Sequence, residues 1–162
     1  MRGAPMPDGH PSQDADLSAT GLEGYAPYLM NRIMGRYNAN MRDELKALGL
    51  TTAKMRTLAV LSVKGGLPIS ALAVFAVVEQ STLSRALEGL LAEGLIRREA
   101  DAEDGRSSRI YLTDAGHAAF DRLWPRMSAE HDAMFDGIDA PERAAFLTTL
   151  SKMLSNIRVH DL

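Results

Sequence analysis

The chain has 162 residues, 46% of them apolar, 24% charged and 6% aromatic, which fits a globular domain with its own core and excludes a fibrous or wholly disordered chain. It contains no cysteine, which excludes disulfides, thiolate metal ligands, cysteine nucleophiles and thiol redox sensing. The formal charge of −3 divides as −1 over residues 1–50, +1 over 51–112 and −3 over 113–162, so charge alone points to no polyanionic partner.

The N-terminus lacks a basic segment followed by an apolar stretch, and no apolar run is long enough to span a bilayer, so a cytoplasmic location without membrane contact is expected. Residues 1–20 hold Pro5, Pro7, Pro11, Gly3 and Gly9, with Leu17 as the one sizeable branched apolar side chain, and are expected to form a flexible tail. Pro27 suits the first turn of a helix, and Leu29, Ile33, Tyr37, Met41, Leu45 and Leu48 then form one stripe that ends at Gly49. Thr51 or Thr52 can cap a second helix through Met55, Leu58 and Leu61, ended by Gly65-Gly66.

A short third helix is predicted to open at Ser70. Residues 71–78 are apolar on every side, and periodicity does not separate buried helix from buried strand there. From Glu79 to Glu93 the pattern is helical, with Leu83, Leu87, Leu90 and Leu91 on one face and Ser81, Arg85 and Glu88 roughly opposite. Gly94 ends it. The extended pieces 95–100 and 109–112, joined by a polar segment with an Asp104-Gly105 pair, read as a β-hairpin. Thr113 is a suitable cap for a long helix through Phe120, Leu123, Trp124, Met127 and Met134, kinked at Pro125. Asp139 and Glu142 form a capping-box-like start for a last helix striped by Phe146, Leu147, Leu150, Met153, Leu154 and Ile157.

Short helix, tight connection, amphipathic helix and hairpin make a winged helix-turn-helix, within a mainly α chain that carries one small β-hairpin. The major groove of B-DNA, about 12 Å wide, admits such a helix, whose N-terminal side chains then reach base edges. Here those are Gln80, Ser81, Thr82, Ser84 and Arg85. Arg85 could read guanine bidentately, Gln80 could read adenine, and the hydroxyls could bond phosphates. A merely solvated helix face would carry the same residues.

The hairpin distinguishes the two. Residues 104–116 read Asp-Gly-Arg-Ser-Ser-Arg-Ile-Tyr-Leu-Thr-Asp-Ala-Gly, after Gly-Leu-Ile-Arg-Arg at 94–98. Together they resemble the signature of the MarR family of bacterial transcriptional regulators, a resemblance that spans about residues 22–158. Asp104 and Arg106 match the family's Asp-x-Arg wing motif, Leu112, Thr113 and Gly116 its strand-to-helix junction, and Ser81, Thr82, Ser84 and Arg85 the start of its recognition helix.

The resemblance implies that Arg106 enters the minor groove from the wing, with Asp104 holding its guanidinium fork. Arg109 either points outward from its strand to DNA or pairs with Glu99. Beyond the tail at 1–20, the resemblance also implies a homodimer on a pseudo-palindrome, with dimerisation helices at 21–50 and 113–162 and the DNA-binding region at 51–112. A small aromatic or anionic effector would release the operator, and Tyr28, Arg32, Met34 and Met55 are its candidate contacts. Where the family's turn carries glycine this chain has Val77, so a turn of different shape is expected.

No enzyme is expected, because no G-x-S-x-G, phosphate-binding glycine loop or H-E-x-x-H segment occurs. Neither cofactor nor metal is expected: His117 with Asp121 and His131 with Glu130 are too loosely spaced for a zinc site. The alternative from another class is a winged-helix module whose acidic hairpin meets a protein rather than DNA.

Overall fold

Side-chain caps at Thr51, Thr113 and Asp139 start three of the helices, and left-handed glycines such as Gly49 and Gly94 end others. The structure, a computed structural model, describes residues 17–101 and 107–160. It divides into two units, one ending at Tyr37 and one beginning at Asn38.

In the first unit Leu17–Thr20 form a single helical turn, α1, within the stretch expected to be a tail, and Leu22–Gly24 form a 3-10 turn. Helix α2, Ala26–Ala47, begins here with Pro27 in its first turn, where the missing N–H leaves no bond unmade. Its Leu29 and Ile33 are exposed in the single chain.

The second unit contains the core. Helix α2 ends there in a Schellman motif: Leu50 N–H donates to the Leu45 carbonyl at 2.8 Å and Gly49 N–H to that of Lys46 at 3.2 Å, with Gly49 at φ 68°. Thr51, rather than Thr52, caps α3, Thr52–Val63, its hydroxyl oxygen accepting from Lys54 N–H at 3.2 Å. Helix α3 buries Met55, Leu58 and Leu61, and buried Thr57 satisfies its hydroxyl by donating to the Ala53 carbonyl at 2.8 Å.

Leu67–Pro68 then form a short strand, β1, that the sequence pattern did not reveal, since two residues show no alternation. Helix α4 is Ile69–Ala76, so the all-apolar run resolves as buried helix followed by a turn at Val77 and Val78. Helix α5, Gln80–Ala92, follows, and then β2, Ile96–Ala100, and β3, Ser108–Leu112. The sheet order is β1-β3-β2, antiparallel, with Leu67 opposite Ile110 and Ile96 opposite Leu112.

The turn before α5 corrects one expectation. Val77 adopts the left-handed conformation, φ 52° and ψ 52°, that glycine would otherwise supply. Two bonds enforce it: Val78 N–H to the Ala73 carbonyl at 3.1 Å and Val77 N–H to that of Val74 at 3.2 Å. This is the same Schellman pairing as at Gly49. The turn therefore keeps its shape and carries the steric cost of a Cβ in that region, about 1–2 kcal/mol.

Thr113 caps α6, Asp114–Ala133, accepting from Gly116 N–H at 3.1 Å while donating to the Gly94 carbonyl at 2.6 Å. The helix is unbroken through Pro125, which cannot donate to Asp121, and Met134 lies just beyond its end. Asn40 Nδ2 donates to Glu130 Oε2 at 2.7 Å, and Arg126 pairs with the same carboxylate at 2.6 Å. Asp139 caps α7, Ala140–Ile157, accepting from Glu142 N–H at 2.8 Å. The centre of the unit is fully buried Leu58, Leu72, Leu83, Leu87, Leu90, Ile110 and Leu123, drawn from α3, α4, α5, the sheet and α6.

Candidate nucleic-acid interface

Helix α5 is amphipathic in the way its sequence requires. Leu83, Ala86, Leu87 and Leu90 are buried, so the helix is fixed by its apolar face. Gln80, Ser81, Thr82, Ser84 and Arg85 are all exposed at its N-terminal half. The Ser84 hydroxyl donates back to the Gln80 carbonyl at 3.0 Å, which leaves only its lone pairs for an outside donor. Arg85 is exposed, and among the described residues no hydrogen-bonding or ionic partner is found for it.

The wing is the β2–β3 hairpin, closed where Asp101 N–H donates to the Ser107 carbonyl at 3.0 Å. Asp104 and Arg106, its expected DNA-reading pair, lie outside the described residues. Arg109 is not paired with Glu99, although the two face each other across the strands. Its Nε donates to Asp101 Oδ2 at 2.8 Å and its Nη1 to the Gly66 carbonyl at 2.9 Å. The guanidinium thus ties the end of β2 to the approach of β1, and Glu99 pairs with Arg97 instead.

Several residues at this surface were not singled out from sequence. Arg97 lies over the Tyr111 ring with its guanidinium carbon 4.6 Å from the centroid. Tyr111 in turn packs on Gly66, at φ 75°, where a Cβ would lie 2.8 Å from the ring. The parity of the hairpin contained the signal, because residues opposite each other across strands share a face: Arg97 with Tyr111 and Glu99 with Arg109. The opposite face carries buried Ile96, Ile110 and Leu112.

The candidate effector residues do not gather in the second unit. Met55 is 2% exposed and belongs to the core there. Tyr28, Arg32 and Met34 lie in the first unit, with Arg32 over the Tyr28 ring at 6.0 Å and Met34 exposed. An open cleft of about 330 Å³ in the second unit is lined by Asn38, Arg42, Lys46 and Thr51 among others, and by none of the four candidates. No described helix is long and apolar enough to cross a membrane, and among the described residues no three His, Asp or Glu side chains gather as a metal site.

This arrangement has clear relatives. The MarR family model matches residues 48–107, the segment from the end of α2 into the wing. A MarR-family transcriptional regulator from Silicibacter pomeroyi, solved by crystallography, is 69% identical and superposes with a TM-score of 0.87 over 91% of this chain and 99% of that one. The HTH-type transcriptional repressor IacR of Pseudomonas putida is 28% identical over 120 residues, 74% of this chain and 72% of that protein. Bordetella bronchiseptica BpsR, whose DNA binding is regulated by 6-hydroxynicotinic acid, is 25% identical with a TM-score of 0.68, over 78% of this chain and 96% of that one. On the strength of the nearly full-length similarity to the Silicibacter pomeroyi regulator, the chain belongs to the MarR family of transcriptional regulators.

Proposed function

We propose that this regulator acts as a homodimer on a pseudo-palindromic operator, with the N-terminal residues of α5 reading the major groove and the wing entering the minor groove. Residues 51–112 would supply the reading surface, and 21–50 and 113–162 the dimer. The observation that carries this reading is the exposed row Gln80, Ser81, Thr82, Ser84 and Arg85 on a helix clamped by Leu83, Leu87 and Leu90. One such helix covers only a few base pairs, so sequence selectivity calls for two copies about one helical turn apart.

The terminal helices support the dimer. Helix α7 buries no residue within the chain, and Phe146, Leu147, Leu154 and Ile157 are all exposed. An apolar stripe of this length left in water is the kind of surface that a symmetric partner covers. A small aromatic acid as effector is supported by the regulation of BpsR by 6-hydroxynicotinic acid and by the exposed cation of Arg32 beside Tyr28. Residues 79–109 hold five basic and seven acidic side chains, so phosphate attraction comes from placement rather than total charge, and non-specific binding is modest and salt-sensitive.

Selection of duplexes from a random library by the purified protein tests the reading. An enriched palindrome with half-sites about ten base pairs apart is expected. No enrichment, together with no retention of DNA at low salt, would remove the operator reading and leave the wing as a protein-binding surface.

A further inference from the structure

Helix α3 carries two cations, Lys54 and Arg56, of which one reaches the C-terminal end of α5 and the other the turn that precedes α5. Two residues apart on a helix, they leave its axis about 200° apart and run along opposite flanks. Arg56 Nη1 donates to the Val77 carbonyl at 3.1 Å, and Val77 is the left-handed residue of the turn that leads into α5. Lys54 passes over α5 at Gly89, where a Cβ would lie 2.8 Å from its Cε and 2.9 Å from its Nζ. Beyond Gly89 its ammonium pairs with Glu93, the residue that closes α5. The Lys54 side chain is only 13% exposed, so it is held in that slot.

These contacts supply what the apolar packing of α5 lacks. Leu83, Leu87 and Leu90 bind the helix to the core, but apolar attraction has no direction and tolerates small rolls and slides. Hydrogen bonds and ion pairs are directional. The Gly49 motif ends α2 and the Thr51 cap starts α3 directly after it in the chain, so α3 leaves little slack between its cations and the helix that precedes the winged region. We propose that Lys54 and Arg56 are positioning residues that hold the two ends of α5 at the tilt and roll needed to read bases, without reading DNA themselves.

The inference rests on the DNA-binding reading, and its test separates the two. Binding of the full-length protein is measured by fluorescence anisotropy on its selected duplex and on a scrambled duplex of equal length, and the melting temperature of each variant is recorded. Lys54→Gln and Glu93→Gln should each lower the ratio of selected to scrambled affinity by about fivefold or more, with scrambled binding by Glu93→Gln unchanged. The exchanged pair Lys54→Glu with Glu93→Lys should recover the ratio to within about twofold.

Arg56→Ala should lower the ratio about tenfold with Val77 in place but less than about threefold in a Val77→Gly background, because glycine holds the left-handed turn without a clamp. Equal loss in both backgrounds, or a salt slope reduced by about one on both duplexes, would mark Arg56 as a phosphate contact and overturn its part. Selective wild-type binding that none of the variants alters would overturn the inference alone. A wild-type protein without selectivity would overturn the operator reading, and this inference with it.

Discussion

Gly116, in the first turn of α6, sits against the carbonyl of Leu95, at the start of the hairpin, so closely that a Cβ at 116 would lie 3.0 Å from the carbonyl carbon and inside contact distance of its oxygen. The neighbouring bonds make the approach tight: Thr113 N–H donates to the same Leu95 carbonyl at 3.1 Å, and the Thr113 hydroxyl to that of Gly94 at 2.6 Å. The glycine matched by family resemblance at this junction is therefore required by backbone contact, not by an unusual φ.

Gly116→Ala should destabilise the fold by about 2–4 kcal/mol, because the nearest obstruction is the Leu95 backbone, which cannot move aside as a flexible side chain would. Urea denaturation followed by circular dichroism reads this directly. A variant within about 0.5 kcal/mol of wild type would mean that the Thr113 junction has more room than the structure gives it.

Val77→Gly should act in the opposite direction. The side chain is 75% exposed, so almost no burial is lost, and relief of the left-handed strain is worth about 1–2 kcal/mol. Greater freedom of the unfolded chain takes back about 0.5–1 kcal/mol, for a net gain between about 0 and 1.5 kcal/mol. A lower midpoint than wild type in the same urea experiment would show that the Val77 side chain makes a stabilising contact.

Arg85 and Arg106 should fail differently when truncated. Arg85→Ala removes a bidentate base contact under the proposed reading, so it should cost about 1–3 kcal/mol per half-site and relax preference at one base pair, with little change in salt slope. Arg106→Ala should weaken discrimination between A·T-rich and G·C-rich flanks, where narrow minor grooves attract a guanidinium. Competition titrations with single-base and flank variants of the selected duplex distinguish them. Uniform weakening across all duplexes by Arg85→Ala would assign that residue to phosphate instead.

The elements most legible in the sequence are those set by local chemistry. Thr51, Thr113 and Asp139 each bond an N–H three residues on, a relation that depends only on spacing. Gly49 and Gly94 likewise mark ends that a positive φ requires. What was not legible depends on tertiary partners. Strand β1 exists because β3 offers it an edge, and Val77 stays left-handed because the α4 carbonyls and Arg56 hold it there.

At the site the same division holds. The exposed and buried faces of α5 followed from periodicity, since about 100° per residue places Arg85 away from Leu83 and Leu87. The partner of Arg109 did not. Strand register sets it opposite Glu99, but its long side chain reaches past that neighbour to Asp101 and Gly66. Met55 shows a further limit, because a methionine on a helical stripe has the same periodicity whether it lines a ligand site or fills the core, and here it is core.

The dimer reading makes its sharpest prediction in α7. Leu154 is 63% and Ile157 77% exposed in the single chain, so Leu154→Asp with Ile157→Asp places two carboxylates where an isolated protomer leaves them in water. For a monomer each such exposed substitution costs only about 1 kcal/mol, from placing an aspartate in the last turn of a helix. In a homodimer sealed by this stripe, the same carboxylates lose hydration without gaining partners, at several kcal/mol per interface. The double variant should therefore sediment at half the wild-type mass while keeping its helical circular dichroism. It should also lose most affinity for a two-half-site duplex, because each recognition helix then binds alone. An unchanged sedimenting mass would place the subunit contact elsewhere, and a wild-type protein that sediments as a monomer at operator-binding concentrations would overturn the dimer itself.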